Sequence, residues 1–466
     1  MMWRKLRRPV GSWLHWEYFF AVAVLLGGVY CVGHLLIEQY LPQPFFYEPF
    51  DVWMDWFNTA FWSHNPGAFD SWRTLYPPLT FVVLRFLTYG PCYVANEGWY
   101  SRDCDWYGMV TMHAWYVLNV YLIGRTFLKI DRETALPRSF ALAAGMPMLD
   151  GLERGNLIMV AFTAFLLAHG PLLRSARLRW IMAGATINFK VYLIGSIFAY
   201  PIKRRWRWFE GTILATIGIY LITWGIMGAG TPIEIVDNLT NWNAQLNSAS
   251  GLLDLWYATS YQPLIGLLNG SIFQINLEIG SLPTEFFGDF LPAWIRATQL
   301  LIVVATGIAW LRPEAVPTYR LVNLATCIAL ITTEGGGYTQ ALAIFLTFFE
   351  PWRSGVAVRV ALVCCYILSI PGDIFLGPVL PRVNNGFLNS GPLFYSYYVT
   401  LGPFFRPAIF MLIPTALSFA TIAAVWRDIR VRGIEGRRRY ARDLPIMVAG
   451  GRTPDDATAV HAPSDR

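Results

Sequence analysis

Two aspartates are the first residues of this sequence whose type and spacing suit chemistry. Asp51 and Asp55 stand four positions apart in the segment DVWMDWFNTAFW, and on a helix that spacing puts both carboxylates on one face. A carboxylate within hydrogen-bond reach of a hydroxyl group can take its proton as the hydroxyl attacks. We therefore expect one of the pair to be a general base. The aromatic and apolar neighbours of Asp55 favour it over Asp51; the alternative is a helix cap with a solvated face.

Lys190 is the strongest candidate for binding an anion. It lies in the apolar segment INFKVYLIG, with no carboxylate within four positions. Charges in such segments are costly and indicate either function or pairing. Because a lysine ammonium binds phosphate as a point charge, Lys190 is expected to hold a phosphate group. Arg73 and Arg154 are further candidates for the same anion, although Arg154 and the adjacent Glu153 could simply neutralise each other.

Five further residues are expected to contact a sugar or an acceptor. Glu334 precedes three consecutive glycines, which permit a tight turn or the close approach of a ligand; the alternative is a helix end with a glycine cap. The complete set is Glu153, Asn156, Tyr76, Glu334 and Tyr338. No spacing of cysteine and histidine resembles a zinc site, and no phosphate-binding loop or dinucleotide fingerprint is present. The sequence therefore predicts neither a metal nor a cofactor.

The composition shows what must position these residues. Only 14% of the 466 residues are charged, 55% are hydrophobic and the mean hydropathy is +0.41, whereas soluble proteins carry about 25% charged residues. This composition predicts a polytopic membrane protein, with the lipid bilayer as a partner. The net charge of +6 does not indicate a nucleic-acid partner, because the basic residues cluster in short loops between apolar runs.

Basic clusters also predict the topology. The first apolar run, about 17–38, is long enough to span a bilayer and lacks a signal-peptide cleavage site. Arginine and lysine clusters on cytoplasmic loops would place both termini inside and residues 39–106 outside. The basic residues that mark these loops include Arg4, Lys5, Arg125, Lys129, Arg138, Arg174, Arg179, Lys203, Arg205, Arg312, Arg320 and Arg353.

The predicted fold class is an all-α polytopic membrane protein with about twelve crossings, several of them short or broken. A juxtamembrane or re-entrant helix is expected at about 76–90, in the first outer loop. After the first run, the predicted helices lie at about 107–128, 139–150, 155–170, 179–189, 191–202, 209–228, 289–311, 320–333, 340–351, 355–371 and 404–426.

One membrane domain, 1–445, would hold all of these helices. Its outer segments would be 39–106, 229–288 and 373–403, and a disordered cytoplasmic tail would occupy 446–466. Cys92 and Cys104 flank a polar part of the first outer segment. If that segment faces an oxidising compartment, they can form a disulfide.

The order of several short motifs resembles a known family. DWFNTA and YPPL in the first outer segment are followed by ERGNLIMVAFTAFLLAHG, AGATINFKVYLIGSIFAYP and KRRWR. This order is similar to that of the C-type integral-membrane glycosyltransferases (the GT-C fold). Within them it looks closest to the polyprenyl-phosphate-mannose-dependent α-1,2-mannosyltransferase-like family. The resemblance covers about residues 45–210; the chain departs from the family pattern in having RGN where a glutamine is common.

The resemblance implies an enzyme of the bacterial inner membrane that transfers a sugar with inversion. The donor would be a polyprenyl monophosphate carrying mannose or another hexose or pentose. The acceptor would be a glycolipid or glycan, and the active site would face away from the cytoplasm. Asp55 would take the base role and Lys190 the position of the basic residue after the broken helix. The alternatives are a polysaccharide polymerase or ligase with a pyrophosphate-linked donor, and a transporter or flippase without chemistry.

Overall fold

The computed structural model describes residues 12–45, 49–94, 98–245, 255, 257–270, 274–333, 335–385 and 391–433, and these are predominantly helical. The predicted tail at 446–466 lies outside these residues. The first helices are α1 (Ser12–Glu38), α2 (Met54–His64), α3 (Pro78–Leu87), α4 (Gly98–Cys104), α5 (Trp106–Ile130), α6 (Ala135–Ala143), α7 (Met146–Glu153), α8 (Ile158–His169), α9 (Ala176–Phe189) and α10 (Ala199–Ile202). The remaining helices are α11 (Trp206–Met227), α12 (Pro232–Gln245), α13 (Gln262–Asn269), α14 (Asn276–Ile279), α15 (Ser281–Leu311), α16 (Thr318–Thr332), α17 (Gln340–Thr347), α18 (Val356–Ser369) and α19 (Gly402–Arg432).

Four of these helices are long and apolar enough to cross a membrane. They are α1, α11, α15 and α19, and five shorter apolar helices accompany them. Most of the apolar surface of α1 and α11 is not covered by the rest of the chain, as expected for helices that face lipid. The chain therefore has the character of a helical membrane protein. The number of about twelve crossings stays a prediction, since several of the segments that it counts are far shorter than a full span: α7 has 8 residues and α16 has 15.

The interior is built around short helices that are apolar on every side. All residues of α8 except Leu167 are buried, and all eight residues of α17 are buried. A helix that is hydrophobic all round belongs in a core rather than on a surface. α8 packs between α5 and α9. Because α7 ends just before the segment 154–157 and α8 begins just after it, this core holds that segment in a fixed position.

Several basic residues used above as markers of loops are in fact buried in ion pairs. Arg138 donates to both carboxylate oxygens of Glu17, at 2.8 and 2.5 Å, and Tyr366 completes the site. Arg320 makes a bidentate pair with Glu350 at 2.6 Å. Such pairs explain these charges structurally, since a buried guanidinium needs a partner.

Contacts of the same kind join four of the predicted cytoplasmic loops. Arg138 also donates to the carbonyl of Glu350 at 3.0 Å, and Lys203 donates to the carbonyl of Val316 at 2.6 Å. The loops after α5, α10, α15 and α17 are thus held together. The segment that contains Asp55 contacts other loops, described below.

The prediction of a purely helical chain misses a β-hairpin. Strands β1 (Phe375–Asn385) and β2 (Pro392–Thr400) pair antiparallel, with Arg382 opposite Tyr395 and a register irregularity between Phe375 and Val379. They lie in the segment 373–403, which the sequence analysis treats as an outer loop. Glycine and two prolines in β1 disfavour a strand by composition, which is why the pattern gives no strand signal here.

The predicted outer segment 39–106 contains the one helix expected in it, together with α2 and α4, which were not predicted. Its helix α3 begins with Pro78 in the first turn, where a missing N–H costs nothing, and it corresponds to the short helix expected at 76–90. A disulfide joins Cys92 and Cys104, whereas the sequence alone left open whether this bond forms. Arg85, another cation of this segment, donates to the carbonyl of Ser63 at 2.5 Å.

Candidate functional site

The turn between α7 and α8 depends on a glycine. Gly155 has φ +63°, and an added Cβ there would lie 2.9 Å from the carbonyl oxygen of Trp53. Only glycine combines this left-handed conformation with such a close approach. The turn places Arg154 and Asn156 on either side of Gly155, and it lets the first outer segment lie directly against them.

Two backbone hydrogen bonds dock the first outer segment on this turn. The amide of Trp53 donates to the carbonyl of Glu153 at 2.8 Å, and the amide of Asp55 donates to the carbonyl of Arg154 at 3.0 Å. Trp53 has φ +65°, so the chain reverses before α2 begins at Met54. The spacing of Asp51 and Asp55 suggests that they share one helix, but in the structure they do not.

The two carboxylates nevertheless converge, on the guanidinium of Arg154. One of its amino groups lies 2.5 Å from Asp51 and the other lies 3.1 Å from Asp55. All three side chains remain about a quarter exposed, so solvent can reach them. The sequence analysis did not anticipate this pairing of Arg154 with both aspartates; the role of Arg154 at a phosphate stays a prediction.

Asn156 fixes the other oxygen of Asp55. Its Nδ2 donates to Asp55 Oδ2 at 2.6 Å, while its Oδ1 accepts the amide N–H of Ile158 at 2.8 Å at the start of α8. The second bond determines which side of the amide faces Asp55. Since an ionised carboxylate has about four acceptor positions, one bond to each oxygen leaves room for a hydroxyl donor.

Lys190 stands at a break between two helices, as its sequence context predicts. α9 ends at Phe189, Lys190 is extended with φ −141°, and a 3₁₀ helix follows from Val191. The ammonium group contacts Tyr76: it lies 3.3 Å from the phenol oxygen and 4.4 Å from the centre of the ring. No carboxylate of the described residues lies within ion-pair distance of it.

Tyr76 connects the lysine to the aspartate. Its phenol oxygen lies 3.4 Å from Asn156 Nδ2, which also holds Asp55. Partial burial, and then the charge of Asp55, raise the pKa of Tyr76 well above its ordinary value. The phenol therefore stays protonated, and because its oxygen already accepts from Lys190 and Asn156, its own O–H is a donor for another group.

Tyr338 also lies near the Lys190 ammonium. Its ring centre lies 5.7 Å from the Lys190 ammonium, and its backbone amide donates to Asp150 Oδ2 at 3.1 Å. The adjacent Gly337 lies against the ring of Tyr257, where an added Cβ would be only 2.0 Å from ring carbon. Asp150 is a residue that the sequence analysis did not single out. The sequence offered one signal for it: Asp150 stands four positions before Arg154 in a short, largely apolar segment.

The other predicted site residues are placed differently. Glu153 is only 4% exposed, and neither carboxylate oxygen has a hydrogen-bond partner among the described residues. Arg73 is exposed, has φ +52°, and makes no ion pair with the residues around Lys190. Glu334 lies outside the described residues. The structure thus brings together Asp51, Asp55, Arg154, Asn156, Tyr76, Lys190 and Tyr338.

Comparison with known proteins adds no name to this arrangement. No protein-family model, curated protein or solved structure matches the chain. Across the described ranges, no three histidine, cysteine, aspartate or glutamate side chains converge as metal ligands would. The site combines, in one network, a solvent-accessible carboxylate, a phenol donor and an ammonium group with which no carboxylate of the described residues pairs.

Proposed function

We propose that this chain is an integral-membrane glycosyltransferase that uses a polyprenyl-monophosphate sugar as its donor. The single observation that carries the proposal is the connection of Asp55 to Lys190 through Asn156 and Tyr76. It places a possible base and a possible phosphate ligand in one network. They come from the first outer segment and from a broken helix, the two places where the family resemblance expects them.

In the proposed reaction, the hydroxyl oxygen of the acceptor forms a bond to the anomeric carbon of the sugar, and Asp55 takes the hydroxyl proton. The bond from that carbon to the phosphate oxygen breaks, and its electron pair leaves with the phosphate. The products are an inverted glycoside and a polyprenyl phosphate. Asp51 and Asn156 take no proton; the first shares Arg154 with Asp55, and the second orients it.

Lys190 meets the charge that develops on the departing phosphate. The leaving group gains one negative charge as its bond to the sugar breaks, and a fixed cation at that point stabilises the transition state more than the ground state. Within the part of the chain that the structure describes, no carboxylate pairs with the ammonium, which supports this role. The protonated phenol of Tyr76 is a second donor toward the same oxygens.

The Cys92–Cys104 disulfide supports an extracytoplasmic site. It lies in the segment that carries Asp55 and Tyr76, and disulfides persist in oxidising compartments. For the alternative with a pyrophosphate-linked donor, a second cation is needed. Arg406 is paired with Asp373 at 2.9 Å, and Arg382 is exposed on β1, so neither strengthens that reading.

The test is the Asp55→Asn variant, because the amide keeps the size of the side chain and cannot act as a base. Purified protein in lipid nanodiscs would be given undecaprenyl-phosphate mannose and a membrane lipid extract. Transfer should fall at least a thousandfold while thermal stability stays close to that of the wild type. Asp70→Asn, an exposed aspartate of the same outer segment, is the matched control. Near-normal turnover in Asp55→Asn would remove Asp55 from the mechanism.

A further inference from the structure

A second feature, a cavity, lies beside the site. A cavity of about 630 Å³ runs between α1, the segment 39–45, the α6–α7 region and the β1–β2 hairpin. Its volume is that of a site for a small molecule or a lipid chain. Its walls are mostly apolar side chains, and neither Lys190 nor Tyr76 lines it.

The cavity is open to the surface of a membrane helix. Leu25, Gly28, Val29 and Val32 of α1 line it, and the three large side chains are also exposed. Because α1 is one of the candidate spans, this opening would face the hydrocarbon of the bilayer. A lipid chain can therefore enter sideways without crossing water.

One part of the cavity wall carries a carboxyl group. Glu153 lines it there together with Trp53 and His113. The carboxyl group of Glu153 is buried and has no partner among the described residues, although buried polar groups are normally hydrogen-bonded and costly when they are not. A ligand hydroxyl group beside it would supply the missing donor once the carboxyl group turns toward the cavity.

This part of the wall adjoins the proposed catalytic carboxylate but not the ammonium. Trp53 and Glu153 both line the cavity, and the amide of Trp53 donates to the carbonyl of Glu153. Two residues further along, the amide of Asp55 donates to the carbonyl of Arg154. A molecule in the cavity would thus present its head group toward Asp51 and Asp55. The phosphate site around Lys190 lies beyond them in the hydrogen-bond network.

From these observations we infer that the cavity holds the hydrocarbon chain of the acceptor, which is therefore a hydroxyl-bearing lipid drawn from the bilayer rather than a soluble glycan. The identification of the bound lipid as the acceptor rests on the proposed function. The lipid site itself rests on the open apolar cavity and on Glu153, whose carboxyl group has no hydrogen-bond partner among the described residues. The donor chain would lie elsewhere, on the side of Lys190.

The test uses octadecanol that carries a photoreactive diazirine in its chain, with the methyl ether of the same molecule as a matched probe. After irradiation in nanodiscs, labelled peptides are mapped by mass spectrometry. Labels are expected at 25–35 of α1 and 395–398 of β2. The alcohol should label several times more strongly than the ether, and Glu153→Met should remove that difference.

Two glycines of α1 give a matched pair of variants. A Cβ at either Gly28 or Gly33 would meet no atom within 4 Å, but only Gly28 lines the cavity. Gly28→Phe should reduce labelling at least fivefold, whereas Gly33→Phe should leave it within twofold. Equal labelling by alcohol and ether, equal labelling of other lipid-facing helices, or no effect of Gly28→Phe would overturn the inference.

Competition separates the two lipid substrates. An excess of undecaprenyl phosphate should not displace the alcohol; displacement would assign the cavity to the donor chain and overturn the acceptor assignment. Labelling needs no turnover, so its result is independent of the transfer assay. If the transfer assay refutes the transferase proposal but specific labelling remains, the cavity is a lipid site without an acceptor role.

Discussion

Replacing Lys190 by methionine separates a catalytic charge from a structural one. Methionine keeps an unbranched stem of similar length and removes only the ammonium. In the folded chain that ammonium contacts the oxygen and ring of Tyr76 and the ring of Tyr338. A lysine that served only the fold would be expected to have a carboxylate partner, as Arg320 has in Glu350.

The expected losses differ greatly between stability and rate. A hydrogen bond to a neutral phenol is worth about 1 kcal/mol net, and the cost of burying the charge opposes it, so unfolding should change by no more than about 1 kcal/mol. Loss of one preorganised group that stabilises developing charge costs about 10²–10³ in turnover. Because the phosphate gains its second charge only as its bond to the sugar breaks, kcat should fall more than KM rises.

The assay is initial-rate transfer from undecaprenyl-phosphate mannose, and from the corresponding arabinose donor, in nanodiscs. Thermal unfolding of each variant is measured in parallel. Lys129→Met removes an exposed lysine at the end of α5 and serves as the control. Turnover of Lys190→Met within threefold of the wild type would refute the phosphate role. So would a loss of activity accompanied by an equal loss of folded protein.

Two further predictions concern stability. Glu153→Met should raise the free energy of unfolding of the ligand-free protein by about 1–3 kcal/mol, since it removes a buried carboxyl group that has no hydrogen-bond partner among the described residues. It should also lower the rate of transfer. A thermal unfolding scan that shows destabilisation would contradict the first expectation. Replacing Cys92 and Cys104 together by serine should cost about 3 kcal/mol, as expected for a crosslink that closes a short loop, and unchanged unfolding in detergent would show that the disulfide does not stabilise the outer segment.

The local sequence identified the chemical groups better than their partners. Asp55 and Lys190 stand out because each is a charge among apolar or aromatic neighbours, and that information is local. The bond between Asn156 and Asp55 and the pairing of Arg154 with both aspartates depend on where the turn around Gly155 meets the first outer segment. No spacing along the chain encodes that contact.

The same distinction explains the outcomes for the fold. The helix break at Lys190 follows from the polar residues NFK in an apolar run, and the structure has it at that position. By contrast, hydropathy alone could not show that Arg138 and Arg320 are buried with carboxylates from distant helices. The β1–β2 hairpin was missed because its strands contain glycine and proline, so pairing between the strands and not composition determines it.

The most direct test of the central claim is a cryo-EM density map of the protein with undecaprenyl phosphate bound. The account predicts phosphate density within hydrogen-bond distance of Lys190 Nζ and near the phenol of Tyr76, with Asp55 facing the same space. Phosphate density beside Arg138 and Glu350, or beside Arg406, with Lys190 unoccupied, would contradict it.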